Sequence, residues 1–257
     1  MPSIARPRRD AAAFIAGAAL LAIALSPPVE SKVEQRLSVH MIQHLLIVSA
    51  APLVAIGQRR VVNSLLNREW RRKLRGSRLA IEGRRFGRRS VAILPLAAAL
   101  AHIGVLAVWH LPGAYDAALD HEALHVSEHA TLFMTAFIVW VGVRAARRVA
   151  PANAIAALFA VSIAGAALGA LITFARTPLY RSYDDSVSAQ GAGMTVLEDQ
   201  QLAGALMWVF GGLLYLSGAI SVVVKSVKAP TSTRDQAHVA AHPELDGYTH
   251  SPSPSRK

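Results

Sequence analysis

Apolar stretches about as long as a bilayer is thick recur along this chain, with helix-breaking residues between them. Almost all of the basic residues fall in every second connecting segment. Together these features predict an all-α protein, a polytopic transmembrane helix bundle of about six spans with both termini cytoplasmic. The composition agrees: 257 residues, 53% hydrophobic, with a positive mean hydropathy. Alternation at period two is absent, which argues against a β-barrel.

The spans follow in order. The first is predicted over about Ala11 to Leu25. It is short, follows Arg6, Arg8 and Arg9, and ends in Ala22-Ile23-Ala24, so it reads either as a retained anchor or as a signal peptide with a small-residue cleavage site. The second runs from about Ser38 to Ile56, with Ser38 as a candidate N-cap and Gly57 behind it. The third, about Val91 to His110, is stopped by Pro112-Gly113. The fourth covers about Ala123 to Val143, and the fifth about Ala152 to Phe174, followed by Pro178. The sixth runs from about Gln200 to Val224. Pro52 and Pro95 lie inside spans, where neighbouring helices can satisfy the freed carbonyls. Small residues such as Gly165 and Gly169 allow close helix packing.

Charge sets the orientation. Counted from a cytoplasmic N-terminus, the inside segments hold 23 of the 27 Lys and Arg residues, and the outside loops only Lys32, Arg36, Arg176 and Arg181. This makes residues 1–228 a membrane bundle with a basic cytoplasmic loop at 57–90. Residues 229–257 read as a disordered polar cytoplasmic tail, and His238, His242 and His250 lie in it. The net charge of +11 could point to nucleic acid. The basic loop, however, carries only Trp70 and Phe86 as aromatics, so it reads as a surface for anionic headgroups, and no nucleic-acid partner is expected. There is no cysteine, which removes disulfides, thiolate metal sites and thiol redox chemistry.

The chemistry lies in histidine. His40 and His44 open the second span, His110 closes the third, His121 follows in the loop, and His125 and His129 open the fourth. All six fall toward the outer face. Each i,i+4 pair shares a helix face, about 6 Å apart along the axis. Imidazoles gathered at one depth point to metal, haem or proton chemistry, because such groups are costly to bury in a membrane without a purpose. Counting from the span ends suggests two layers. The outer would hold His40, His110, His125 and Asp199, and the inner His44, His129, His102 and Met207. His102 and Met207 are further candidates for a metal. Glu128 is read either as an acceptor orienting His129 or as the partner of a basic neighbour. Met41, Met134 and Met207 are soft thioethers suited to Cu(I), or simply packing. His121 alone reads as an interfacial residue.

These residues also carry a resemblance. His40-Met41-Ile42-Gln43-His44-Leu45-Leu46, with Ala51-Pro52-Leu53 and Gly57, resembles the signature of the CtaG-type cytochrome c oxidase assembly factors. The likeness continues through Trp109-His110-Leu111-Pro112 with Tyr115, then His125-Val126-Ser127-Glu128-His129, then Pro178-Leu179-Tyr180 with Tyr183. It closes with Leu197-Glu198-Asp199-Gln200-Gln201 and Met207-Trp208, so that it covers about Ser26 to Val224. It implies an integral protein of the bacterial plasma membrane that supports oxidase assembly, with copper delivery usually inferred. The family's motif histidines carry over to His40, His44, His110, His125 and His129, and its acidic motif to Asp199. Family members often have a further span before the equivalent of Ala11, and on that comparison six spans is a shortened count.

Three functions fit. In the first, a non-enzymatic assembly factor holds a copper ion on the outer-facing histidines, on the periplasmic or extracellular side, and passes it to cytochrome c oxidase subunits. The second is a b-type haem or quinone-linked redox protein with His44 and His129 as axial ligands. The third is a metal-ion transporter, for which the spans hold few ionisable residues below His102. The hydrolase motif GxSxG is absent; His121-Glu122-Ala123-Leu124-His125 matches HExxH in letters, but His121 falls in the loop before the fourth span rather than on its helix.

Overall fold

The computed structural model describes residues 5–65, 78–183 and 193–227, with side chains for 9–58, 87–183 and 193–227. Among the described residues there is no strand. The helices are α1 (Ala5–Ala24), α2 (Pro27–Val33), α3 (Leu37–Leu65), α4 (Arg78–Trp109), α5 (Pro112–Asp120), α6 (Glu122–Ala146), α7 (Pro151–Thr173), α8 (Val196–Leu206) and α9 (Gly212–Val227). A 3-10 turn at Arg181–Tyr183 and a π-helical turn at Met207–Gly211 complete the set. Trp70 and the segment 228–257, including the histidines of the tail, lie outside the described residues.

Five of these segments are long and apolar enough to cross a membrane: Leu37–Gln58, Gly87–Trp109, Glu122–Ala146, Pro151–Thr173 and Val196–Val227. A sixth is the pair Arg9–Ala24 and Pro27–Val33, if its 49° bend counts as one span. Pro27 and Pro28 explain the bend: residues before a proline are pushed out of helical conformation, and Pro27 then restarts the helix at its first position.

Several boundaries differ from expectation. Gly57 does not end α3, which continues to Leu65. Its missing side chain serves packing instead, because a Cβ there would lie 2.6 Å from the Asp10 carbonyl oxygen of α1. The basic stretch expected as a loop is helical from Arg78 and continuous with the third span. Pro112 opens the short helix α5, and His121 sits at its end and at the start of α6. Ser38 is already inside α3 and is not its N-cap. Its backbone N–H donates to Asp199 Oδ2 at 3.2 Å, and its hydroxyl donates to the same carboxylate. A first-turn amide has no partner in its own helix, so an acidic residue from α8 serves as a cap in trans.

α3 packs against α1, α6 and α8, α4 against α6 and α7, and α7 against α8 and α9. Bare backbone sets the α7–α8 spacing: a Cβ on Gly169 would fall 2.8 Å from the Gly204 carbonyl oxygen. Two buried clusters result. One is aliphatic, with Ala98, Ala136, Val139, Ala157, Leu158 and Ala219. The other is aromatic, with Tyr115, Tyr180 and Tyr183 beside Leu37, Met41 and Met207, and it packs around the histidines.

Candidate metal centre

Side chains from α3 and α6 meet near the ends of both helices. The i,i+4 spacing puts His40 and His44 on one face of α3, with ring centroids 4.4 Å apart. On α6 the same spacing brings His125 and His129 to 4.3 Å. The two pairs face each other, His44 to His129 at 5.3 Å and His40 to His125 at 5.1 Å. His110, at the end of α4, joins from the side with its ring 6.1 Å from His44.

Glu128 points into this space. Its carboxylate lies 3.8 Å from His40 Nε2 and 3.6 Å from His44 Nε2, and the side chain is fully buried. One donor atom from each of His40, His44, Glu128 and His129 lies within 4.8 Å of the others, and all four residues are buried.

Hydrogen bonds around the group determine where its lone pairs point. His110 Nδ1 lies 2.8 Å from the Leu106 carbonyl and can only donate to it, which leaves Nε2 as a bare lone pair. Tyr183 donates to the Val33 carbonyl at 2.8 Å. The Tyr115 hydroxyl lies 3.3 Å from that of Tyr183 and can donate to it. The same hydroxyl lies 2.6 Å from His40 Nδ1: with its proton on Tyr183 it accepts from His40 and leaves the lone pair on Nε2, and with its proton directed at His40 it is Nε2 that carries the hydrogen. His125 Nδ1 lies 3.0 Å from the Glu30 carboxylate of α2 and donates to it, so its lone pair falls on Nε2. The two Nε2 atoms of His40 and His125 are 3.3 Å apart. In the first His40 tautomer a proton or a cation must lie between these two lone pairs, and in the second His40 Nε2 donates to His125 Nε2.

The inner atoms have no other partners. Both ring nitrogens of His44, Nε2 of His110 and of His129, and both oxygens of Glu128 are buried without a hydrogen bond. Buried polar atoms are rarely left unpaired, and here unpaired atoms of His44, Glu128 and His129 belong to residues whose donor atoms gather within 4.8 Å. The donor set of imidazoles and a carboxylate suits zinc, copper or iron. Outside the spans, burial holds the His110 imidazole below its ordinary pKa, partly opposed by its bond to Leu106. Burial likewise raises the Tyr115 and Tyr183 phenols, so they remain proton donors.

The structure thus gathers His40, His44, His110, His125 and His129 into one contiguous group rather than two layers. Asp199 is not in it, because its carboxylate is held by Ser38. His102 is elsewhere too. Its Nδ1 is 2.8 Å from the Thr135 hydroxyl, and the Tyr215 hydroxyl is 2.7 Å from its Nε2. Met41 and Met207 are buried beside a cavity that touches His44, His102 and His110, whereas Met134 is half exposed. Glu30, Gln43, Tyr115 and Tyr183 escaped the sequence reading as site residues. Gln43 donates to Glu30 Oε2 at 2.6 Å and to the Ala24 carbonyl at 2.9 Å, which fixes the carboxylate that orients His125. Gln43, Tyr115 and Tyr183 stand in the motifs that carry the resemblance but without a role of their own, and Glu30 had no signal in the sequence.

A family model described as cytochrome c oxidase caa3 assembly factor matches residues 3–229 of the chain. No curated protein and no solved structure matches. The match spans most of the chain, which therefore belongs to that family of oxidase assembly factors.

Proposed function

From that membership, we propose that the protein holds a copper ion in the group formed by His40, His44, Glu128 and His129, and releases it to a cytochrome c oxidase subunit during assembly. The observation that carries this reading is the convergence of four buried donor atoms within 4.8 Å, from residues of which His44, Glu128 and His129 carry donor atoms without a hydrogen bond. His125 and His110, one step out, are alternative donors through which a bound ion can exchange ligands. Charge balance favours Cu(I): a monovalent cation beside one carboxylate leaves the buried group neutral, the least costly state in a low-dielectric interior. Imidazole accommodates copper, and incomplete coordination permits transfer.

An ion fits the space better than a haem. The rings of His44 and His129 are 5.3 Å apart, and the adjoining cavity is about 40 Å³. The distribution of basic residues supports a bacterial plasma-membrane location, with the group on the periplasmic or extracellular side and both termini inside. The role is that of a non-catalytic carrier.

The test uses full-length protein in mild detergent, with metal content and a reduced-minus-oxidised spectrum recorded on one sample. A His44→Ala/His129→Ala double variant is measured beside it. Copper that is lost in the variant, without haem bands, is the expected result. Haem bands that vanish in the variant, or normal copper content of the oxidase in cells carrying it, would overturn the reading.

A further inference from the structure

At the other end of the bundle, a groove of about 260 Å³ opens between α3, α6 and α9. Its floor is apolar: Pro52 and Ile56 from α3, Trp140 and Val143 from α6, Leu214 and Val222 from α9. Its mouth is basic, lined by Arg144, Arg147 and Lys225, with the Ser217 and Ser221 hydroxyls along one wall. Among the described residues no carboxylate lines it. The distance from the metal centre is large: His129 to Arg147 is about 27 Å along α6.

From this we infer a binding site for one anionic phospholipid, its phosphate at Arg147 and Lys225 and its first acyl carbons on the apolar floor. Three observations support a lipid over a soluble anion. The cations stand at the ends of two membrane-spanning segments, where a headgroup plane would lie. The groove grades from basic to apolar along the helix axes, which matches an amphiphile and wastes its floor on a free anion. Toward the membrane interior and along the groove's edge, α9 exposes the apolar side chains of Ile220, Leu216 and Leu213, on which the rest of the chain can lie. A groove of this size is too small to enclose a whole phospholipid, so it would grip the headgroup end only. Basic pockets between spanning helices are suited to anionic headgroups, with each cation contributing roughly fivefold in affinity near the surface.

The floor is well defined. Trp140 stacks on Tyr215 with ring centroids 5.8 Å apart and interplanar angle 14°. Its ring edge rests against Gly218, where a Cβ would come within 2.8 Å of Trp140 Cζ3. Tyr215 in turn contacts His102, so the wall of the groove is continuous with the polar interior.

The experiment is native mass spectrometry of the full chain from mild detergent, titrated with phosphatidylglycerol or phosphatidylcholine. The wild type should retain one phosphatidylglycerol and little phosphatidylcholine. Arg147→Gln/Lys225→Gln should bind it about thirtyfold more weakly, the product of two such contributions. Arg88→Gln/Arg89→Gln, which removes two cations outside the groove, should leave binding unchanged. Ser217→Phe keeps every charge but plugs the groove, and should also lose the lipid. Equal retention of both lipids, undiminished binding in the double variant, or displacement by inorganic phosphate alone would overturn the inference.

Discussion

His44 and His102 are both buried histidines on membrane-spanning helices, yet their surroundings differ in kind. Around His102 every proton has a destination. Thr135 donates to the Thr131 carbonyl at 2.7 Å, so it accepts from His102 Nδ1, and Tyr215 donates to Nε2. Around His44 no hydrogen bond forms, and its nearest charged neighbour is a carboxylate that also lacks partners. Burial alone therefore does not mark a ligand. What distinguishes the two is whether the surrounding protein already completes the group, as it does for His102, or leaves it to be completed from outside.

Substitutions test this distinction in decreasing order of effect. Glu128→Gln should weaken metal binding by more than about a hundredfold, measured by competition with a chelator, because it removes a direct donor and its charge. The metal-free protein should not lose stability, since the change removes a buried unpaired carboxylate. Unchanged affinity would return Glu128 to a bystander role. Tyr115→Phe should cost roughly tenfold in affinity, because His40 Nδ1 loses the acceptor that keeps its Nε2 lone pair turned inward. An unaltered binding curve would mean that Tyr183, whose hydroxyl lies 3.3 Å from His40 Nδ1, suffices to fix the tautomer.

Tyr215→Phe belongs to the other side of the comparison. It should leave metal content intact while lowering thermal stability by about 1 kcal/mol, the cost of stranding one buried acceptor in a membrane protein. Metal loss in this variant would join the two sites and end the distinction. The smallest effect is expected for Asp199→Asn, about 0.5 kcal/mol after allowance for its partial exposure, with normal metal content. Loss of metal there would restore Asp199 to the ligand set.

The spans were legible because mean hydropathy over some twenty residues survives local detail, and the histidine pairs because i,i+4 spacing is itself a statement about one helix face. Helix ends were less legible. Gly57 and Ser38 have the composition of helix terminators, but α1 and Asp199 supply from elsewhere what those positions would otherwise need. Glu128 was visible as a neighbour of His129, yet nothing along the chain says that it turns toward His40 and His44 while Asp199 turns toward Ser38 at the tip of the same helix. Both are acidic residues at the start of a helix. Only packing separates them, and packing between distant segments leaves no periodic trace. The hydrogen bonds that set the tautomers of His40 and His125 come from Tyr115, Tyr183 and Glu30, on separate short segments, and were out of reach for the same reason.

The π-helical turn at Met207–Gly211 makes the last span behave as two cogs on one shaft. Above it, Gln200 accepts from the Leu179 amide at 2.7 Å, and below it Tyr215 holds His102. Each residue added to or taken from a helix turns everything beyond it by about 100°. Deleting one residue inside the turn would rotate Tyr215, Gly218 and the wall they form while Gln200 kept its place. The phase of the lower half, and with it His102 and the basic groove, can thus be reset in a single step without moving the end that carries the histidine group.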